Sequence, residues 1–184
     1  MLPSLFSRGT IRRTVQSTTK AELTWRCGCC SELHVGLPAI TYASLIHWRD
    51  ELVCDEKSFL GADLCVIEDR DFFIRCVLEV PILEQSEVLS WGVWLSQSRE
   101  NFERYQDSRD DDASEETFGF LANSLPQYPQ TLSLKANAVW RRDGLRPLVD
   151  LEPVDHPFVD DWRGGLTLQR AIMFAELCLH GQPN

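Results

Sequence analysis

Two long runs of alternating residues dominate the hydrophobic pattern. Across 72–81, Phe72, Ile74, Cys76, Leu78 and Val80 fall on one side, with Phe73, Arg75, Val77 and Glu79 on the other. A period of two sustained that long predicts a strand with one face in the core, because successive side chains point to opposite faces. The short apolar run 64–67 precedes it across the polar turn 68–71, and the two read as an antiparallel hairpin. The run 89–95 alternates again, setting Leu89, Trp91, Val93 and Leu95 opposite Ser90, Gly92, Trp94 and Ser96. Ser98 then offers an N-cap for a helix through Glu100, Phe102 and Tyr105.

Two further strands are expected at 131–140 and 147–151, joined through the turn pair Asp143-Gly144. Near the end, Thr167 is a cap for a helix whose stripe is Leu168, Ile172, Ala175 and Leu179, with Gly181 and Pro183 as its stop. The segment 38–60 is weakly patterned, and a helical turn or two is expected around 42–48. These elements predict an α+β fold: an antiparallel meander of about four to five strands, two to three flanking helices, and a Cys-rich knuckle before the sheet. Residues 21–184 are expected to form a single globular domain. Residues 1–20, with Arg8, Arg12, Arg13 and Lys20 and no acid, read as a basic, weakly ordered extension.

Composition narrows the functional classes. The 184 residues are enough for one ordinary core, and nine Phe and six Trp can fill it. No apolar run approaches the ~20 residues of a membrane-spanning helix, and the first residues lack the apolar core of a secretory signal. A cytoplasmic location without a membrane partner is therefore expected. A net charge of −10 argues against nucleic acid as a partner, since phosphate contacts need clustered Lys and Arg. The acidic stretch 107–116 lacks the glycine and ligand spacing of a calcium loop and reads as solvated.

Seven cysteines, an odd number irregularly spaced, do not make a secreted disulfide framework. Three of them crowd into 27–30. Cys27-x-x-Cys30 is the sharpest local feature, because a tight turn points both sulfurs the same way and lets two thiolates share a Zn²⁺ at about 2.3 Å each. A tetrahedral structural site needs two more donors. His34 lies four residues on, and Cys65 sits in the first strand of the hairpin. The expected ligand set is Cys27, Cys30, His34 and Cys65, with zinc as the metal. Cys29 stands between the two thiols of the pair, and buried free thiols or a redox dithiol are the competing readings. His156, in Asp155-His156-Pro157, could act as a base or a ligand; a helix start capped by Asp155, with Pro157 in the first turn, explains the triplet without chemistry. Arg75, Glu79, Glu152 and Lys135 either line a polar groove with Trp91 and Trp94 or face solvent.

The order of motifs resembles bacterial domain-of-unknown-function family 2199, collinearly over roughly residues 25–180. The resemblance is carried by Cys27, Cys30, His34 and Gly36-Leu-Pro38, then by Cys65-Val-Ile67, Phe72-Phe-Ile-Arg75, Leu78-Glu-Val-Pro81 and Trp91-Gly-Val-Trp94. It continues through Leu125-Pro-Gln-Tyr-Pro129, Arg146-Pro and Leu151-Glu-Pro-Val-Asp-His156-Pro. The family pattern tends to have Gly where Ser31 and Cys76 stand here, and a lost Gly strains the knuckle if that position needs a positive φ. The resemblance implies no activity; it places all four proposed ligands on motif positions.

No nucleophile elbow, zincin helix or phosphate loop is present. The reading is a non-enzymatic, zinc-stabilised binding or interaction domain with a protein or small molecule as partner. Two alternatives stand beside it: a metal-dependent enzyme with an open zinc position, and an acidic inhibitor or immunity-like protein that neutralises a basic partner such as a toxin.

Overall fold

The computed structural model describes residues 22–107, 115–142 and 144–181. The basic segment 1–20, the middle of the acidic stretch, Asp143 and Pro183 lie outside the described residues. A two-stranded hairpin comes first, β1 (Thr24–Arg26) against β2 (Leu33–Val35). Then come β3 (Ile40–Thr41), a 3-10 turn at Asp50–Cys54, β4 (Phe59–Leu60), β5 (Leu64–Ile67), β6 (Asp71–Pro81) and β7 (Val88–Gln97). The chain continues through α1 (Arg99–Asp107), β8 (Glu116–Phe120), β9 (Lys135–Val139), β10 (Leu148–Leu151), α2 (Pro157–Gly164) and α3 (Leu168–His180).

The alternation of β6 and β7 does what its period requires. The two strands pair from Phe72 opposite Gln97 to Pro81 opposite Val88. Ile74, Cys76, Leu78, Val80, Leu89, Trp91, Val93 and Leu95 lie fully buried in one cluster, where α2 and α3 add Phe158 and Phe174. The opposite face is not bare. Phe73 and Trp94 pack there with Cys65, Ile67, Ala122, Leu45 and Leu52 in a second cluster.

The expected antiparallel meander is corrected: among the described residues the principal sheet has eight strands and is mixed. β10 runs parallel to β6 at Leu148 and Val77, and β3 runs parallel to β7 at Ile40 and Trp91. The cause lies in the length of β6. β5 covers only its first part, from Ile67 opposite Asp71 to Leu64 opposite Ile74, and leaves the edge of its later part open. The chain returns to that edge after α1 and β8, and the β9–β10 hairpin fills it. At the far end the sheet curls back on itself. Leu121 bridges Leu95, and the Ala122 N–H donates to the Trp94 carbonyl at 2.8 Å. This crossing requires Gly119, since a Cβ there would sit 2.0 Å from the Ser96 carbonyl oxygen.

The helical turns expected at 42–48 are also corrected. Leu45, Trp48 and Leu52 imitate helical spacing, but they anchor on the outer face of the sheet. The N–H groups of Tyr42 and Ile46 are donated across to the carbonyls of Gly92 and Ala122, so no helical ladder forms through them. Strand β9 starts later than expected, because Ser133 takes a left-handed φ of 66° in a turn closed by the Leu134 N–H on Thr131. The caps are as read: Ser98 Oγ accepts from the Asn101 N–H at 3.1 Å, and Thr167 Oγ1 from the Arg170 N–H at 3.3 Å. In α3 the buried residues are Ala171, Phe174 and Ala175, while Leu179 is exposed. No helix among the described residues is long and apolar enough to cross a membrane.

Candidate metal centre

The knuckle is the loop of the first hairpin. Trp25 lies opposite His34 in the β1–β2 register, and their rings stack at 4.6 Å, which fixes the imidazole against the strand. Trp25 in turn donates its indole N–H to the Gly36 carbonyl at 2.9 Å. The loop closes through the Cys27 N–H on Glu32 at 2.8 Å and the Ser31 N–H on Cys27 at 3.0 Å. Ser31 stands at φ 63°, the left-handed conformation that favours glycine. The Cys29 N–H donates to Cys27 Sγ at 3.3 Å.

Helix α3 brings the rest. Ala175 and the half-buried Ile172 pack against Trp25 and Cys27 in a third apolar cluster. One turn further on, Glu176 accepts the Gly28 N–H at 2.5 Å, and the last residue of the helix, His180, reaches Cys27 Sγ with its Nε2 at 3.2 Å. Cys30 Sγ lies 3.8 Å from His34 Nε2. One donor atom from each of Cys27, Cys30, His34 and His180 lies within 4.8 Å of the others. The donor edges of a tetrahedron about Zn²⁺ measure about 3.3–3.8 Å, so two contacts already match and contraction by about 1 Å closes the shell.

Three of the four expected ligands are thus brought together, and Cys65 is not among them. It lies on β5, fully buried in the second cluster among Leu45, Leu52, Ile67 and Trp94, where burial pushes its thiol up to about 12. His180 completes the group in its stead. Sequence reasoning looked for donors near the knuckle or in the first strand of the sheet and passed over the histidine at the helix end. The available signal was scarcity: the chain has four histidines.

Crowding of the sulfurs shows in their titration. Desolvation, then the neighbouring Cys27 and Glu176 charges, raises the Cys29 thiol above its ordinary value. At Cys30 a backbone hydrogen bond at Glu32 pulls down, but desolvation and Cys27 outweigh it and the net direction is up. Two thiols and two imidazoles gathered in this way are the donor chemistry of a thiophilic cation.

His156 holds no free nitrogen for such work. It is itself the N-cap of α2, where Asp155 was expected: Nδ1 accepts the Phe158 N–H at 3.1 Å, while Nε2 meets the Pro129 carbonyl at 2.6 Å. With Nδ1 accepting, Nε2 is the nitrogen placed to donate to that carbonyl. Of the two readings for the charges around Arg75, the polar groove does not form, since Trp91 and Trp94 are both fully buried. Arg75 instead lies over the Trp94 ring and donates to the Tyr42 carbonyl at 3.0 Å.

Neither the curated proteins nor the solved structures include a match to this chain. The bacterial family described as "Uncharacterized protein conserved in bacteria" (DUF2199) matches residues 26–166, a span that begins at the knuckle, takes in the whole principal sheet and stops before α3. The chain belongs to this family.

Proposed function

We propose that the protein is a zinc-stabilised, non-enzymatic binding or interaction domain, in which the ion fastens the β1–β2 hairpin to the end of α3. The observation that carries this reading is the gathering of two thiols and two imidazoles within 4.8 Å of one another. A mixed Cys/His set of four suits Zn²⁺, whose structural sites are tetrahedral and closed. Four donors from the chain leave no position for water or substrate, which favours a structural ion over a catalytic one. The partner is then met by the surface that the ion holds in shape.

Elemental analysis of purified protein tests the reading. About one zinc per chain is expected, lost in Cys27→Ser and in His180→Ala, and retained in Cys65→Ser. Native protein without stoichiometric metal would end the zinc reading, and full metal in both of the first two variants would refute the ligand set.

A further inference from the structure

A cleft of about 600 Å³ opens on the outer face of the sheet, away from the residues of the metal centre. Its walls come from Ile46, His47 and Arg49 ahead of the 3-10 turn, from the β5–β6 turn, and from Phe120 at the end of β8, with Phe73 also lining it. The volume falls in the range that small organic ligands occupy. Three features define what it would take.

The first is a place for a ring. His47 and Phe73 stack at 6.5 Å with 28° between their planes, and Phe120 and Ile46 keep 41% and 52% of their surface exposed. The second is an unanswered charge. Arg70 is satisfied by Glu68 at 3.3 Å and Asp71 at 3.0 Å, whereas the Arg49 guanidinium has no hydrogen bond or ion pair among the described residues. The carboxylates of the lining, Glu68 and Asp71, are the two that Arg70 engages, which leaves Arg49 as the cation for a ligand to meet. The third is backbone strain: Glu68 at φ 53° and Ser133 at φ 66° are non-glycine residues in the left-handed region, and both line the cleft. Such conformations cost on the order of 1–3 kcal/mol and gather at ligand clamps.

We propose that this cleft binds a small planar organic anion, a carboxylate carried on an aromatic ring. The ring lies against Phe73, His47 and Phe120, and the carboxylate pairs with Arg49 in the forked geometry that a guanidinium offers. The proposal rests on the binding-domain half of the reading above and needs no metal. Zinc content is measured on the same samples, so that the two fail separately.

The test is a titration of the full chain with naphthoate, and with naphthylmethylammonium as the cationic match, followed by amide shifts in NMR. Saturable one-to-one binding of naphthoate is expected, about tenfold tighter than the cation, with shifts at Ile46, His47, Arg49 and Phe120. Arg49→Ala and Phe120→Ala, both at exposed positions, should each weaken it by about fivefold or more, while Leu33→Ala on the hairpin should not. Absence of saturable binding, equal binding of the two probes, or shifts confined to other surfaces would each overturn the proposal.

Discussion

Ser31 follows the second knuckle cysteine at φ 63°, a conformation in which an L side chain crowds its own carbonyl. A glycine here would carry no such strain. Ser31→Gly is expected to stabilise the protein by about 0.5–1 kcal/mol, and Ser31→Val to destabilise it by more, read as shifts in urea midpoint. Single residues divide sharply in how much of their role the sequence reveals. Cys27, Cys30 and His34 share one hairpin, so local spacing places them together. Cys65 lies in an apolar run, and its neighbours Leu64, Val66 and Ile67 mark it as a core thiol once the second cluster is known. His180 is invisible to spacing, because it reaches Cys27 only through the packing of Ile172 and Ala175 on Trp25.

Elements with a strong period of their own are legible, and those defined by what they meet are not. The long alternations of β6 and β7 needed no partner to be recognised, and the helix starts at Ser98 and Thr167 announce themselves by their caps. The two-residue strand β3 has no period to read. The parallel entry of β10 beside β6 depends on β5 being too short to cover that edge, which no local pattern encodes. The crossing of β8 over β7 is equally non-local, and it hangs on one atom. Gly119→Ala would place a methyl group 2.0 Å from the Ser96 oxygen, which belongs to backbone and cannot swing aside. A loss on the order of 3 kcal/mol is expected in chemical denaturation; a cost below about 1 kcal/mol would show that the two strands separate easily.

The whole molecule keeps several ionisable groups neutral. Burial pushes Cys65 from its ordinary 9.0 to about 12 and Tyr42 from 10.0 to about 12, and moves Cys76 and Tyr128 in the same direction. The folded chain therefore holds these protons after the unfolded chain has released them. Their contribution is complete below about pH 9 and disappears as pH rises toward about 12, so stability falls on the alkaline side. Urea midpoints measured between about pH 8 and about pH 11 should decline, and Cys65→Ala should flatten part of the slope. A midpoint that holds level through this window would mean that these groups ionise in place.

The contact between Cys27 and His180 spans 153 positions of the chain. Closing so large a loop is slow relative to the pairing of β6 with β7, and contacts of such separation form late in folding. On the zinc reading, metal ligation would then lie on the native side of the barrier, where it acts on the rate of escape and not on the rate of arrival. In stopped-flow experiments a chelator is expected to speed unfolding and leave refolding nearly unchanged. A refolding rate that drops as far as the unfolding rate rises would place hairpin docking in the nucleus instead. On the zinc reading proposed above, the protein would reach its fold without the ion and need it to stay there, and its lifetime would follow the supply of free metal.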